Sequence, residues 1–179
     1  VIKLSEVKSV DISKQPRLKT GFHDLDMLLA GGLFFGQVDI IAGKRGDGKS
    51  TLASEIIARA IDQGYNAFVY SGELLAYQYK RWMDFQIAGP RNIVENYSID
   101  GIPNRFITNS VQEEINNWYD EKIYLYDNSI VDDNEQEDLL RTLTEAIMQY
   151  GINVVLIDNL MTAIDLDNDR DQDKYNKQS

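Results

Sequence analysis

The chain has 179 residues, 43% of them hydrophobic, which is enough for one globular core and too little for two independent ones. It contains no cysteine and a single histidine, His23, which excludes disulfide frameworks, thiolate zinc sites and histidine metal clusters, so any metal must be held by oxygen. A formal net charge of -11 argues against a surface given over wholly to nucleic acid, and no apolar run approaches the roughly 18 residues of a membrane span.

Residues 1–19 are mixed, charged and interrupted by Pro16, which predicts an extended linker arm. Thr20 is placed to cap a short helix over "GFHDLDMLLA", closed by Gly31 and Gly32. Asp24 and Asp26 read as capping or solvated acids of that helix and His23 as a helix-start residue, with no chemistry assigned to them. The β-branched run "VDIIAG" (38–43) suits a strand covered on both faces of a parallel sheet. From Ser50 onward, Leu52, Ala53, Ile56, Ile57 and Ala60 recur at helical spacing until Gly64.

The alternation then repeats. "NAFVYS" (66–71) reads as a strand, and Leu75, Tyr79, Trp82, Met83 and Ile87 mark the buried stripe of a helix ending near Gly89 and Pro90. Residues 91–109 read as irregular, and Ser110 with Glu113 as a capping box for the next helix. "KIYLYD" (122–127) supplies another strand, followed by an acidic loop. Glu135–Tyr150 carries Leu139, Leu143, Ala146, Ile147 and Tyr150 on one face with Gly151 as its stop, before the strand "NVVLID" (153–158). Residues 165–179 read as a polar, solvated tail without the regular acid spacing of a calcium loop. The sum is an α/β core over 20–164, with a mainly parallel sheet flanked by helices.

Between the first expected sheet strand and its helix stands "GKRGDGKST" (43–51), which fits G-x-x-x-x-G-K-[ST] at each fixed position. A turn with few side chains lets backbone N–H groups face a phosphate at a helix N-terminus whose dipole already favours an anion. The candidate nucleotide-contacting residues are Gly43, Lys44, Arg45, Gly46, Asp47, Gly48, Lys49, Ser50 and Thr51. Lys49 places an ammonium on the terminal phosphates, and Ser50 offers its hydroxyl to Mg²⁺. Asp47 would repel phosphate if it faced inward, so its side chain is expected to point to solvent, with Lys44 and Arg45 offsetting its field.

Two acids complete the set. Asp158 ends "VVLID" at the sheet rim where a doubly wound fold places ligand-contacting groups, and its carboxylate suits the water shell of Mg²⁺. Glu73 follows "FVYSG" at another strand end, where a carboxylate can orient and deprotonate an attacking water. The basic pair Lys44–Arg45 and "YKRW" (79–82) are the only hints of a nucleic-acid surface, and phosphate contact and a half-exposed helix explain them equally well.

"KTGFHDLDMLLAGGLFFGQVDIIAGKRGDGKSTLASEI", "VYSGEL" and "VVLIDNLMTAID" together resemble the successive motifs of the DnaB-like replicative helicases, especially the phage and Twinkle-like branch of these RecA-type ATPases. The resemblance covers most of residues 18–164. It implies a RecA-like core in a hexameric, ATP-driven motor that translocates on single-stranded DNA in the cytoplasm of a bacterium or phage-infected host. Lys49 and Ser50 then correspond to the phosphate-loop residues, Glu73 to the catalytic glutamate and Asp158 to the metal-associated acid, while the N-terminal arm resembles the linker that packs on a neighbouring subunit.

Such motors continue past the metal-associated acid into a sensor strand, DNA-contacting loops and an arginine finger. No such segment follows Ile164, so the chain is expected to be cut short and to hydrolyse ATP weakly, a missing finger being worth about 10³ or more in rate. The sensor strand of a RecA-type sheet would lie between the strands ending near Ala42 and Asp158, and its loss would leave unpaired backbone groups there. Two alternatives remain open: a RecA-, RadA- or KaiC-like ATPase of recombination or signalling, and a non-catalytic module that nucleotide orders into an assembly.

Overall fold

The computed structural model describes residues 2–127 and 139–163. In chain order it holds β1 (Arg17–Leu18), α1 (His23–Leu28), β2 (Leu33–Phe34), α2 (Lys49–Asp62), β3 (Ala67–Ser71), α3 (Ala76–Ala88), β4 (Ile93–Tyr97), β5 (Pro103–Ile107), α4 (Asn109–Tyr119), β6 (Ile123–Leu125), α5 (Leu139–Tyr150) and β7 (Val154–Asp158). The first residues of the helix expected from Glu135 and the tail expected over 165–179 lie outside the described residues.

The centre is a parallel sheet in the order β6-β3-β7, with Ala67 opposite both Ile123 and Val154 and Ser71 opposite Asp158. Every residue of β3 is buried, and strand alternation divides its side chains between two cores. Ala67 and Val69 join Ile57, Ile61, Tyr79 and Met83 under α2 and α3, while Phe68 and Tyr70 join Leu139 and Ala146 under α5. Each large side chain so buried contributes roughly 1.5–3 kcal/mol, which makes β3 the anchor of the fold. A RecA-like α/β core with a parallel sheet between helices is what the sequence predicts.

Helix α2 bridges both ends of the chain's first third. Ile56 and Ala60 pack on Leu18, and Gln63 exchanges hydrogen bonds with the Lys19 backbone, accepting its N–H at 2.9 Å and donating to its carbonyl at 2.9 Å. Residues 17–19, expected as the end of the arm, are thereby tied to the core. Thr20 does not cap α1: Phe22 holds that position, and Thr20 is wholly buried with its N–H and hydroxyl both donating to Asp26 Oδ1 at 2.8 Å. The acid of the helix reaches back to the loop, the reverse of the expected direction.

Three further expectations need correction. The run "VDIIAG" forms no strand: Val38 is 91% and Ile40 82% exposed. A strand exists by pairing its backbone, and among the described residues the run 38–42 pairs with no strand, while the edge of β7 away from β3 stays unpaired. Residues 91–109 are not irregular, since β4 and β5 form an antiparallel hairpin across a turn in which Gly101 sits at φ 73°. Arg105 Nε donates to Glu95 Oε2 at 2.7 Å across it, and Tyr97 donates to Glu95 Oε1 at 2.8 Å. The cap of α4 is Thr108, whose Oγ1 accepts the Val111 N–H at 3.4 Å, rather than Ser110.

Candidate nucleotide and metal site

The loop into α2 has the backbone a phosphate cradle needs. Gly46 and Gly48 adopt φ 89° and 80°, left-handed values that favour glycine, and Gly48 is the N-cap of α2 without any side chain capping it. The first α-helical bond runs from Leu52 N–H to Gly48 carbonyl at 2.9 Å, so the amides of Lys49, Ser50 and Thr51 have no acceptor within the helix. Those three donors and the positive end of α2 converge on one side of the turn.

Side chains of the loop are tied to one another. Lys49 Nζ donates to the Lys44 carbonyl at 2.9 Å, which holds the ammonium over the loop. Asp47 remains exposed, yet its Oδ2 accepts the Lys44 N–H at 2.7 Å instead of pointing freely into solvent as the sequence predicts. An unpaired carboxylate beside an open amide takes that hydrogen bond, because a charge-assisted bond is worth more than one to water. A phosphate arriving at the loop therefore competes with Asp47 for one amide and with a carbonyl for Lys49.

The two rim acids come together through sheet register. Asp158 is the last residue of β7, beside Ser71 of β3, and the Gly72 N–H donates to the Asp158 carbonyl at 2.6 Å. Glu73 is therefore delivered to the same C-terminal rim, where Asn159 Nδ2 donates to its Oε1 at 2.8 Å. Sequence reasoning missed Asn159, whose only signal is its place directly after the strand-end acid.

Helix α2 also meets this rim from below. Ser54, buried one turn beyond Ser50, donates to the Ser50 carbonyl at 2.7 Å. The Tyr79 phenol of α3 is buried beside it. Burial pushes that phenol up to about 12, with the field of Asp158 adding to the rise against the pull of Ser54. Ser50 and Asp158 are the oxygen donors the sequence offers a divalent ion, and among the described residues no group of three or more acids or histidines could hold an ion by protein alone. So sparse a set fits a hard cation that shares its shell with water and phosphate oxygens.

The basic helix segment behaves as structure. Lys80 Nζ donates to Asp84 Oδ2 at 2.9 Å and to Asn116 Oδ1 at 2.8 Å, and buried Asp84 also accepts from Gln112 and Tyr119. Burial opposes the Lys80 charge, but Tyr119 and Asp84 outweigh it and hold the ammonium above its ordinary range. Arg81 donates to the Arg105 carbonyl at 3.1 Å and lies over Phe85.

Residues 17–178 match the family model "DnaB-like helicase C terminal domain". Among curated proteins, "DNA repair protein RadA" of Mycolicibacterium smegmatis is 40% identical over 67 residues, 37% of this chain and 14% of that protein. The proteins of the same description from Bacillus subtilis and Salmonella typhimurium are 34% identical over 73 residues and 32% over 75, covering 41% and 42% of this chain. In both cases the match spans 16% of the relative's length.

Proposed function

This chain belongs to the DnaB-like helicase C-terminal domain family, and on that premise we propose that it is the ATP-hydrolysing motor of a replicative DNA helicase. The observation that carries the reading is the pairing of Ser71 with Asp158, which brings Glu73 and Asp158 to one rim of a sheet packed against the helix that the glycine loop opens. The loop amides and Lys49 would hold the triphosphate, and Ser50 with Asp158 would hold Mg²⁺, which would supply neutralising charge to the phosphate oxygens. Glu73 orients the attacking water and takes its proton. The phage and Twinkle-like branch, single-stranded DNA as the track, a hexameric ring and a cytoplasmic location belong to the same proposal. Among the described residues no helix is long and apolar enough to cross a membrane.

The RadA similarity is consistent with a second reading, an ATPase of DNA repair built on the same loop and acids. Steady-state ATP hydrolysis with and without single-stranded DNA tests the first. Turnover that DNA stimulates, and that Glu73→Gln removes, is the expected result. Turnover indifferent to DNA contradicts the motor, and absence of turnover with intact ATP binding points instead to a nucleotide-dependent assembly module.

A further inference from the structure

Asn159 sits where β7 gives way to a helical turn beginning at Leu160. Its Oδ1 accepts the Thr162 N–H at 3.0 Å, the bond of an N-cap side chain to the third residue of the turn. A backbone N–H can only donate, so the atom it meets must be the amide oxygen, and the opposite face of the same amide must be the NH₂. That face lies 2.8 Å from Glu73 Oε1. The cap therefore fixes which end of Asn159 reaches the carboxylate, across 86 positions of sequence.

Thr162 locks the arrangement. Its hydroxyl lies 3.0 Å from the Asn159 carbonyl, to which it donates, and 3.2 Å from Asn159 Oδ1. It fits only because residue 72 is glycine: a Cβ there would stand 2.6 Å from Thr162 Cβ and overlap its hydroxyl. Gly72 is in turn held to the Asp158 carbonyl. Gly72, Thr162 and Asn159 thus make a closed brace between the two rim acids.

We infer that Asn159 is a positioning residue for Glu73: an amide oriented by the Thr162 cap holds the carboxylate at the rim in the place from which it addresses water. The inference rests on Glu73 being the base of the proposed function. A bare capping role gives the contrasting expectation, because aspartate and serine cap as well as asparagine. Both keep the acceptor for Thr162 and remove the donor to Glu73, and aspartate adds a like charge.

The test compares wild type, Asn159→Ser and Asn159→Asp in ATP binding, in ATP turnover and in a direct readout of the contact. Nucleotide Kd and melting temperature should be unchanged. The kcat should fall about 10- to 100-fold, with aspartate the worse, a range typical of lost supports behind a reacting group. In ¹⁵N-labelled protein the Asn159 side-chain amide signals, identified by their absence in Asn159→Asp, should move in Glu73→Ala. Wild-type kcat in both variants overturns the inference, and so does an amide signal indifferent to Glu73→Ala. Failure of the wild type to turn over ATP counts against the proposed function, and the amide signal then decides the brace by itself.

Discussion

Two apolar runs of similar composition meet opposite fates. "AFVYS" (67–71) has a parallel neighbour on each side and is buried along its length, whereas "VDIIA" (38–42) has no ladder partner among the described residues and leaves Ile40 82% exposed. Hydrophobic, β-branched sequence is a condition for a buried strand and not a cause of one. The cause is a neighbour able to take the backbone hydrogen bonds. The rim acids hang from the paired run and are placed by register, while the glycine loop is placed by α2, whose Ile56 and Ala60 belong to the cluster that Val154 of β7 packs against.

The contrast can be broken by the same substitution in both environments. Ile57 is 2% exposed in the core under α2, so Ile57→Ala should cost about 2–5 kcal/mol, read as a shift of the urea midpoint. Ile40→Ala should stay within about 0.5 kcal/mol in the same chain. Comparable losses at both positions would mean that residues 38–42 are packed.

A smaller effect is expected where a buried polar group depends on one acid. Asp26→Ala removes the acceptor that both the N–H and the hydroxyl of buried Thr20 share, leaving the hydroxyl only its contacts with the Phe22 backbone, and should cost about 1–3 kcal/mol by the same measurement. Burial alone would raise the Asp26 carboxyl, but the two Thr20 bonds, the Lys19 charge and the Gly21 N–H together hold it below the usual carboxylate range. A carboxyl lowered on folding stabilises the protein above its unfolded value and loses that contribution as pH falls through the folded one. The gap between wild type and Asp26→Ala should therefore narrow in acid, and a gap that widens would contradict the assignment.

The smallest loss sharpens the comparison at the hairpin, whose strands pair but bury little. Gly101→Ala, at φ 73° with open space around it, should cost about 1 kcal/mol of backbone strain without any steric clash. Faster amide exchange confined to residues 93–107 is the expected signature, and slowed or unchanged exchange there would count against the turn.

Much of the central fold was legible in the sequence. The strands at 67–71 and 154–158 and the helix stops at Gly89 and Gly151 follow from period and glycine chemistry, and so do the chain positions of Glu73 and Asp158. The hairpin was not legible by periodicity, because its alternation is mostly polar on an exposed surface, although Asp100-Gly101 between Ile99 and Ile102 is a turn signal. The failure of residues 38–42 to pair concerns sheet neighbours, which local pattern does not encode. Asn159 with Glu73, and Thr20 with Asp26, are bonds between side chains and loops whose partners only the folded chain brings together.

The central claim is that the amides opening α2, with Lys49, grip a triphosphate. Calorimetric titration of the chain with ATP and Mg²⁺ tests it most directly, beside Lys49→Ala. The account predicts saturable heat at one site per chain in the wild type and its loss in the variant. No heat in the wild type, or equal binding in Lys49→Ala, would contradict it.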